Sequence, residues 1–147
     1  MQGIKRKIVY VSLFEVIAIA VTTVGFAWFS GQSTGHAGMV AVVTSVIAVA
    51  WNLGYNTAFE KWESRQVVRG RSWRRRVAHA LGFEGGLTVI LVPLLAWLLK
   101  VTLWEALVLD VGLIVFFLIY AFLFNLAFDH VFGLPASAQP VPAGPGT

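Results

Sequence analysis

Two acids, Glu15 and Glu84, lie inside long apolar stretches, and they are the groups from which chemistry has to start. Glu15 stands eight residues after Lys7, about 12 Å of helical rise into a membrane. Its own stretch holds no basic residue to neutralise it. A carboxylate at that depth costs a few kcal/mol to insert, so it is expected to face protein or water. One chemistry open to it is reversible protonation coupled to binding a cation. The other is packing, with a neutral acid bonding a neighbouring helix.

Glu84 has the same depth after Arg76 but different neighbours. Gly82 and Gly86 form a small-x-x-x-small pattern that is expected to admit a close helix and leave Glu84 in that contact, either in a fixed hydrogen bond or as a second proton carrier. His79 could relay protons or place a polar tip at the interface. Asp110, several residues into the fourth apolar stretch, suits an outer gate or cation site, or an ordinary interfacial role. Asn52, Asn56 and Glu60 follow at i, i+4 spacing, rungs on one helix face. They form either a polar route towards Glu15, whose depth Asn52 shares, or interhelical amide bonds with Glu60 at the membrane edge beside Lys61. Trp51 and Tyr55 flank Asn52, and an aromatic face near a carboxylate suits a hydrophobic cation. Most aromatics at or near the ends of the apolar stretches, Trp28, Trp51, Trp97, Trp104 and Tyr120, otherwise read as interface anchors.

The elements that carry these groups follow from composition. Of 147 residues, 58% are hydrophobic and 12% charged, with mean hydropathy +0.78, too apolar for an ordinary soluble domain. Four apolar stretches at 8–29, 39–59, 77–99 and 103–128 are each long enough to cross a core of about 30 Å. Backbone groups in hydrocarbon must bond within their own segment, and these stretches lack strand alternation, so an all-α integral membrane protein with four helices is expected. The first stretch carries Glu15 and lacks a small-x-small cleavage pattern, so it reads as a retained span. There is no cysteine, which removes disulfides, thiol nucleophiles and thiolate metal sites.

Ten of the eleven Lys and Arg precede the first stretch or lie between the second and third. The positive-inside rule puts those segments, and hence both termini, in the cytoplasm. The run Arg74, Arg75, Arg76 is explained by topology and anionic lipid, without nucleic acid. The chain divides into a first hairpin at 1–62, a basic linker at 63–76, a second hairpin at 77–132 and a Pro/Ala-rich tail at 133–147 expected to be disordered.

Sliding the sequence along itself by 69 residues superposes its halves without a gap. Phe14 meets Phe83, Glu15 meets Glu84, Trp28 meets Trp97, Asn56 meets Asn125, Phe59 meets Phe128 and Glu60 meets Asp129. Each copy holds two spans, so both run the same way through the membrane. Asn56 and Asn125 recur, which favours packing for them. Asn52 does not, since its counterpart is Ala121, and that asymmetry favours a site in the first copy.

The segments KIVYVSLFE with WNLGYNTAFE, then RVAHALGFEGGL with YAFLFNLAFD, resemble the paired motifs of the proteobacterial antimicrobial compound efflux family, also described as bacterial transmembrane pair proteins. The resemblance covers nearly everything from Lys7 to Asp129. It implies a small inner-membrane protein that exports cationic biocides such as chlorhexidine, and dyes such as acriflavine and proflavine, in exchange for protons, with some members moving short diamines. It also implies that Glu15 couples to protons and binds substrate. Asn52, Asn56, Glu60, Glu84, Asn125 and Asp129 match the motifs as well. Lys7, Tyr10 and Val11 stand where the family motif usually has Arg, His and Ala; Lys7 preserves the charge, Tyr10 leaves a first-copy His relay absent, and His79 fits the second motif.

The expected mechanism has Glu15 bind a cationic drug when ionised and release it when protonated, so that drug and proton compete for one carboxylate. Cationic small molecules, protons and membrane lipid are the expected partners. No cofactor or metal is implied, and neither a nucleophile–base pair nor a phosphate loop supports an enzyme. Four helices offer few interior positions around a bulky substrate, so a homodimer in equilibrium with monomer is expected. The rivals are an exporter of short-chain diamines such as putrescine or cadaverine, and a nontransporting membrane scaffold.

Overall fold

The computed structural model describes residues 2–68 and 70–140. Four helices account for most of them: α1 (Gly3–Ser30), α2 (Thr34–Ser64), α3 (Trp73–Leu99) and α4 (Leu103–Phe132). All four are long and apolar enough to cross a membrane. Each outruns its apolar stretch, most clearly α2, which continues past 59 to Ser64 through polar residues.

Local chemistry sets the breaks. Gly31 ends α1 at φ +70°, in the left-handed region that glycine enters without strain. Ser33 then caps α2 by accepting from the His36 amide at 3.2 Å, and Ser72 caps α3 by accepting from the Arg75 amide at 3.3 Å. The turn between α3 and α4 is only a few residues long. Lys100 adopts φ 54° there, and Thr102 and Glu105 form a reciprocal capping box, Glu105 N to Thr102 Oγ1 at 3.1 Å and Thr102 N to Glu105 Oε2 at 3.4 Å. Pro93 lies inside α3 and deprives the Val89 carbonyl of its usual amide donor.

The chain separates into two compact units, Met1–Ala18 with Ile114–Thr147, and Ile19–Leu113. In the larger unit α2 packs on α3, around a core of Phe26, Ala37, Val40, Ala41, Leu91, Leu95, Leu99 and Ala106. Its loop end is tied by His36 Nε2 donating to Leu98 O at 2.6 Å and Gln32 Nε2 to Leu99 O at 3.3 Å. The smaller unit joins the first half of α1 to the second half of α4 through aromatic rings, among them Phe14 with Tyr120 at 4.7 Å and Tyr10 with Phe124 and Phe128 at 5.1 Å each. The Gln2 side chain holds the start of the tail, donating to Leu134 O and accepting from Ala136 N, beside a 3-10 turn at Ala136–Ala138. Residues 141–147, the rest of the segment expected to be disordered, lie outside the described residues.

Candidate functional site

Each long helix pair joins one copy of the repeat to the other. α1 of the first copy meets α4 of the second, and α2 of the first meets α3 of the second, so the acid-bearing motif of each copy is served by the Asn-bearing motif of the other. Several contacts recur at positions related by the 69-residue offset. Tyr10 Oη donates to Asn125 Oδ1 at 2.9 Å, and at the matching positions His79 Nε2 donates to Asn56 Oδ1 at 2.8 Å. Tyr120 Oη donates to Phe14 O at 2.8 Å, and the matching Trp51 Nε1 donates to Phe83 O at 3.0 Å. Phe128 meets the Tyr10 ring edge-on at 5.1 Å, as Phe59 meets His79 at 4.6 Å. Tyr10 therefore supplies, with a phenol, the donor that an imidazole supplies in the other copy.

Glu15 is half-buried on α1 and lies within electrostatic reach of Tyr120 on α4. Tyr120 belongs to a cluster of rings with Phe14, Phe117 and Phe124, with Tyr120 to Phe124 at 5.6 Å and Phe14 to Phe117 at 6.4 Å. Towards the chain termini, Arg6 closes this face. Its guanidinium bonds Asp129 at 2.5 Å and Gly133 O at 2.6 Å, and lies 4.9 Å from the centre of the Phe128 ring.

Glu84 has other company. It lies half-buried on α3 within electrostatic reach of Asp110 on α4. Asp110 is buried, at 3% exposure, and accepts from Thr88 Oγ1 at 2.9 Å. Thr88 stands one helical turn beyond Glu84, so Glu84, Thr88 and Asp110 form one polar constellation. The offset puts Ile19 and Ala41 at the matching first-copy positions, so it has no counterpart there.

Trp51 and Tyr55 are seated on α3 in the unit that holds Glu84, whereas Glu15 lies in the other unit. Tyr55 Oη donates to His79 O at 3.0 Å, and its ring meets Phe83 at 5.6 Å. Gly82 and Gly86 do admit a close neighbour, but what fills the notch is side chain. A Cβ at Gly82 would fall on the Tyr55 hydroxyl, and one at Gly86 on the Trp51 indole. Trp51 and Tyr120 are thus pairing groups in mid-helix, where the sequence suggested interface anchors; Trp28, Trp97 and Trp104 keep exposed rings. Asn56 also donates to Asn52 O at 2.8 Å and Asn52 Oδ1 at 3.0 Å, so these two rungs bond one another.

At the basic end of α2 and α3, a cleft of roughly 270 Å³ is lined by Glu60, Glu63, Ser64, Gly70, Arg71 and Arg75. Glu63 takes Arg71 in a bidentate pair at 3.0 and 3.1 Å, and that hydrogen-bonded contact raises the Arg71 pKa above its ordinary value. Arg75 matches Arg6 in the repeat, yet its guanidinium goes to Val68 O and Gly70 O at 2.9 Å instead of the Glu60 that matches Asp129. Thr88 and the pairing role of Tyr120 were missed from sequence. The i, i+4 step from Glu84 to Thr88 was the available signal for the first, and the correspondence of Tyr120 with Trp51 for the second.

Comparison with known proteins follows the same division of the chain. A family model described as "BTP: Chlorhexidine efflux transporter" matches twice in tandem, at residues 2–65 and 71–134. The chain is 38% identical over 126 residues to a short-chain diamines transporter of Vibrio parahaemolyticus, covering 86% of this chain and 89% of that protein. Short-chain diamines transporters of Acinetobacter baylyi and Acinetobacter baumannii are 32% and 31% identical, each over 86% of this chain and 89% and 88% of their own lengths. These names are those of transporters, not enzymes. No solved structure matches significantly. With both repeats matched and four membrane-length helices, the chain belongs to the proteobacterial antimicrobial compound efflux family, as a multi-pass protein of the bacterial inner membrane.

Proposed function

We propose that the protein exchanges protons for hydrophobic organic cations across the inner membrane, with Glu15 as the shared binding group. The observation that carries this reading is the placing of Glu15, a half-buried acid within electrostatic reach of Tyr120, whose ring packs with Phe14 and Phe124. The carboxylate would neutralise a cation while the rings cover its apolar body and add cation–π attraction. Protonation removes the counter-charge and releases the cation, so the two ligands compete. Both termini and the basic loop are placed in the cytoplasm by the positive-inside rule. One proton exchanged for one singly charged cation moves no net charge, so the exchange is driven by the pH difference, about 1.4 kcal/mol per unit. Few residues of the apolar windows are buried within a single chain, 6–22% of each, which favours a homodimer around the substrate.

The test is flux in proteoliposomes under an imposed pH gradient, comparing wild type with Glu15→Gln for chlorhexidine, proflavine and a short diamine. Gradient-driven flux of the aromatic cations, lost in the variant, is expected. Full flux through Glu15→Gln contradicts the mechanism, and no flux of any substrate through folded wild type points to a scaffold.

A second reading has its own support. The three relatives are named for short-chain diamines, and a diamine carries two ammonium groups that want two acids. Glu84 and Asp110 form such a pair in the larger unit. Loss of diamine flux in Asp110→Asn, with aromatic-cation flux retained, would favour this substrate class.

A further inference from the structure

The carbonyl immediately before each membrane acid receives a side-chain hydrogen bond from the partner helix. Tyr120 Oη reaches Phe14 O at 2.8 Å, and Trp51 Nε1 reaches Phe83 O at 3.0 Å. Phe14 C=O and Glu15 N–H belong to one rigid peptide plane, as do Phe83 C=O and Glu84 N–H. In a regular helix these carbonyls are already used by the amides four residues on, so the helix does not need the extra bond to persist. Ring donors in hydrocarbon must find an acceptor. That need does not select which carbonyl they find, yet a phenol in one copy and an indole in the other reach the same one.

The differences around this contact argue the same way. The larger indole is accommodated because Gly86 has no side chain, while the matching position in the copy served by the smaller phenol is Ile17. Ring and notch change together, and the bond to the carbonyl stays.

We propose that Tyr120 and Trp51 are positioning residues for the two acids, each pinning the peptide plane from which Glu15 or Glu84 projects and so fixing the carboxyl against the partner helix. For Glu15 this rests on its role as the exchanging group. Losing the latch lets the carboxyl turn away from the geometry in which it meets proton and cation.

The test uses the full chain in lipid vesicles and reads the acids by their infrared carboxyl bands, assigned by loss in Glu15→Gln and Glu84→Gln, alongside flux. Tyr120→Phe keeps the ring and removes the donor. It is expected to move the midpoint of the Glu15 band by about half to one pH unit and raise the KM for the cation about three- to tenfold, the effect of one hydrogen bond, with maximal flux kept. Trp51→Phe is expected to move the Glu84 band and leave that of Glu15. Phe116→Leu is the control, because Phe116 stacks on Tyr120 at 5.3 Å without any part in the bond; it should move neither band. An unmoved Glu15 band in Tyr120→Phe, an unmoved Glu84 band in Trp51→Phe, or an equal shift in Phe116→Leu overturns the proposal. Full flux in Glu15→Gln would end the carrier role of Glu15 instead, while the bands still judge the two latches.

Discussion

The α1/α4 contact and the α2/α3 contact place donors and rings at matched positions, yet they surround their acids differently. Glu15 lies within electrostatic reach of the Tyr120 hydroxyl, and its face ends at the tight Arg6–Asp129 pair. Glu84 has a buried second acid and a threonine hydroxyl, and its face ends at an open cleft where Arg75 ignores Glu60. Duplication has kept the hydrogen bonds that hold one helix on the other and let the groups around the carboxylates diverge. The scaffold is therefore best read from what recurs, and the candidate chemistry from what does not.

Loading the notch in α3 should break the comparison most strongly. Gly86→Val puts a branched side chain where the Trp51 indole lies, with an expected cost of about 1–3 kcal/mol or more from overpacking. Ile17→Val, at the matching position, trims an exposed side chain, and its expected cost is below about 1 kcal/mol. Thermal unfolding of both variants in detergent measures the difference, and equal costs would mean the two contacts are packed alike.

The arginines come next. Arg6→Ala removes charge-assisted bonds to Asp129 and Gly133 O, with an expected loss of about 2–3 kcal/mol. Arg75→Ala removes bonds to two carbonyls of an exposed loop, and its loss should be below about 1 kcal/mol. Denaturation midpoints that rank them the other way would refute the asymmetry at the basic ends.

The amides sharpen the comparison more finely. Asn56→Ala cuts the contact with His79 and the bonds to Asn52 O and Asn52 Oδ1, about 1–2 kcal/mol, whereas Asn125→Ala cuts the Tyr10 contact and the bond to Ala121 O and has no amide side chain to orphan, about 1 kcal/mol. Their difference, measured by unfolding, should vanish in an Asn52→Ala background. Arg71→Ala should have the smallest effect, because the Arg71 side chain is exposed and its pair with Glu63 is screened by salt. A large loss of stability that persists at high salt would show that this pair holds the loop.

The spans and the repeat were legible in the sequence because hydropathy and register depend on each residue alone. Which helix meets which was not. An offset shows that Asn56 and Asn125 are equivalent, but it does not say that Asn125 serves the first-copy motif and Asn56 the second. Equal depth suggested that Asn52 leads towards Glu15, and depth cannot choose between partners at the same level; Asn52 bonds Asn56, whose own partner is His79. Trp51 was easy to take for an interface anchor because an amphipathic ring suits that place too. Asp110 could be singled out as an intramembrane acid, while its bond to Thr88 depends on how α3 and α4 pack.

The central claim is that Glu15 exchanges a proton for a cation, and the most direct measurement is proton release. Purified protein in weakly buffered detergent solution would be titrated with proflavine while pH is followed. Wild type and Glu84→Gln should release protons as the cation binds, and Glu15→Gln should release none. Undiminished release from Glu15→Gln, or its loss only in Glu84→Gln, would contradict the account and move the exchange to the other pair of helices.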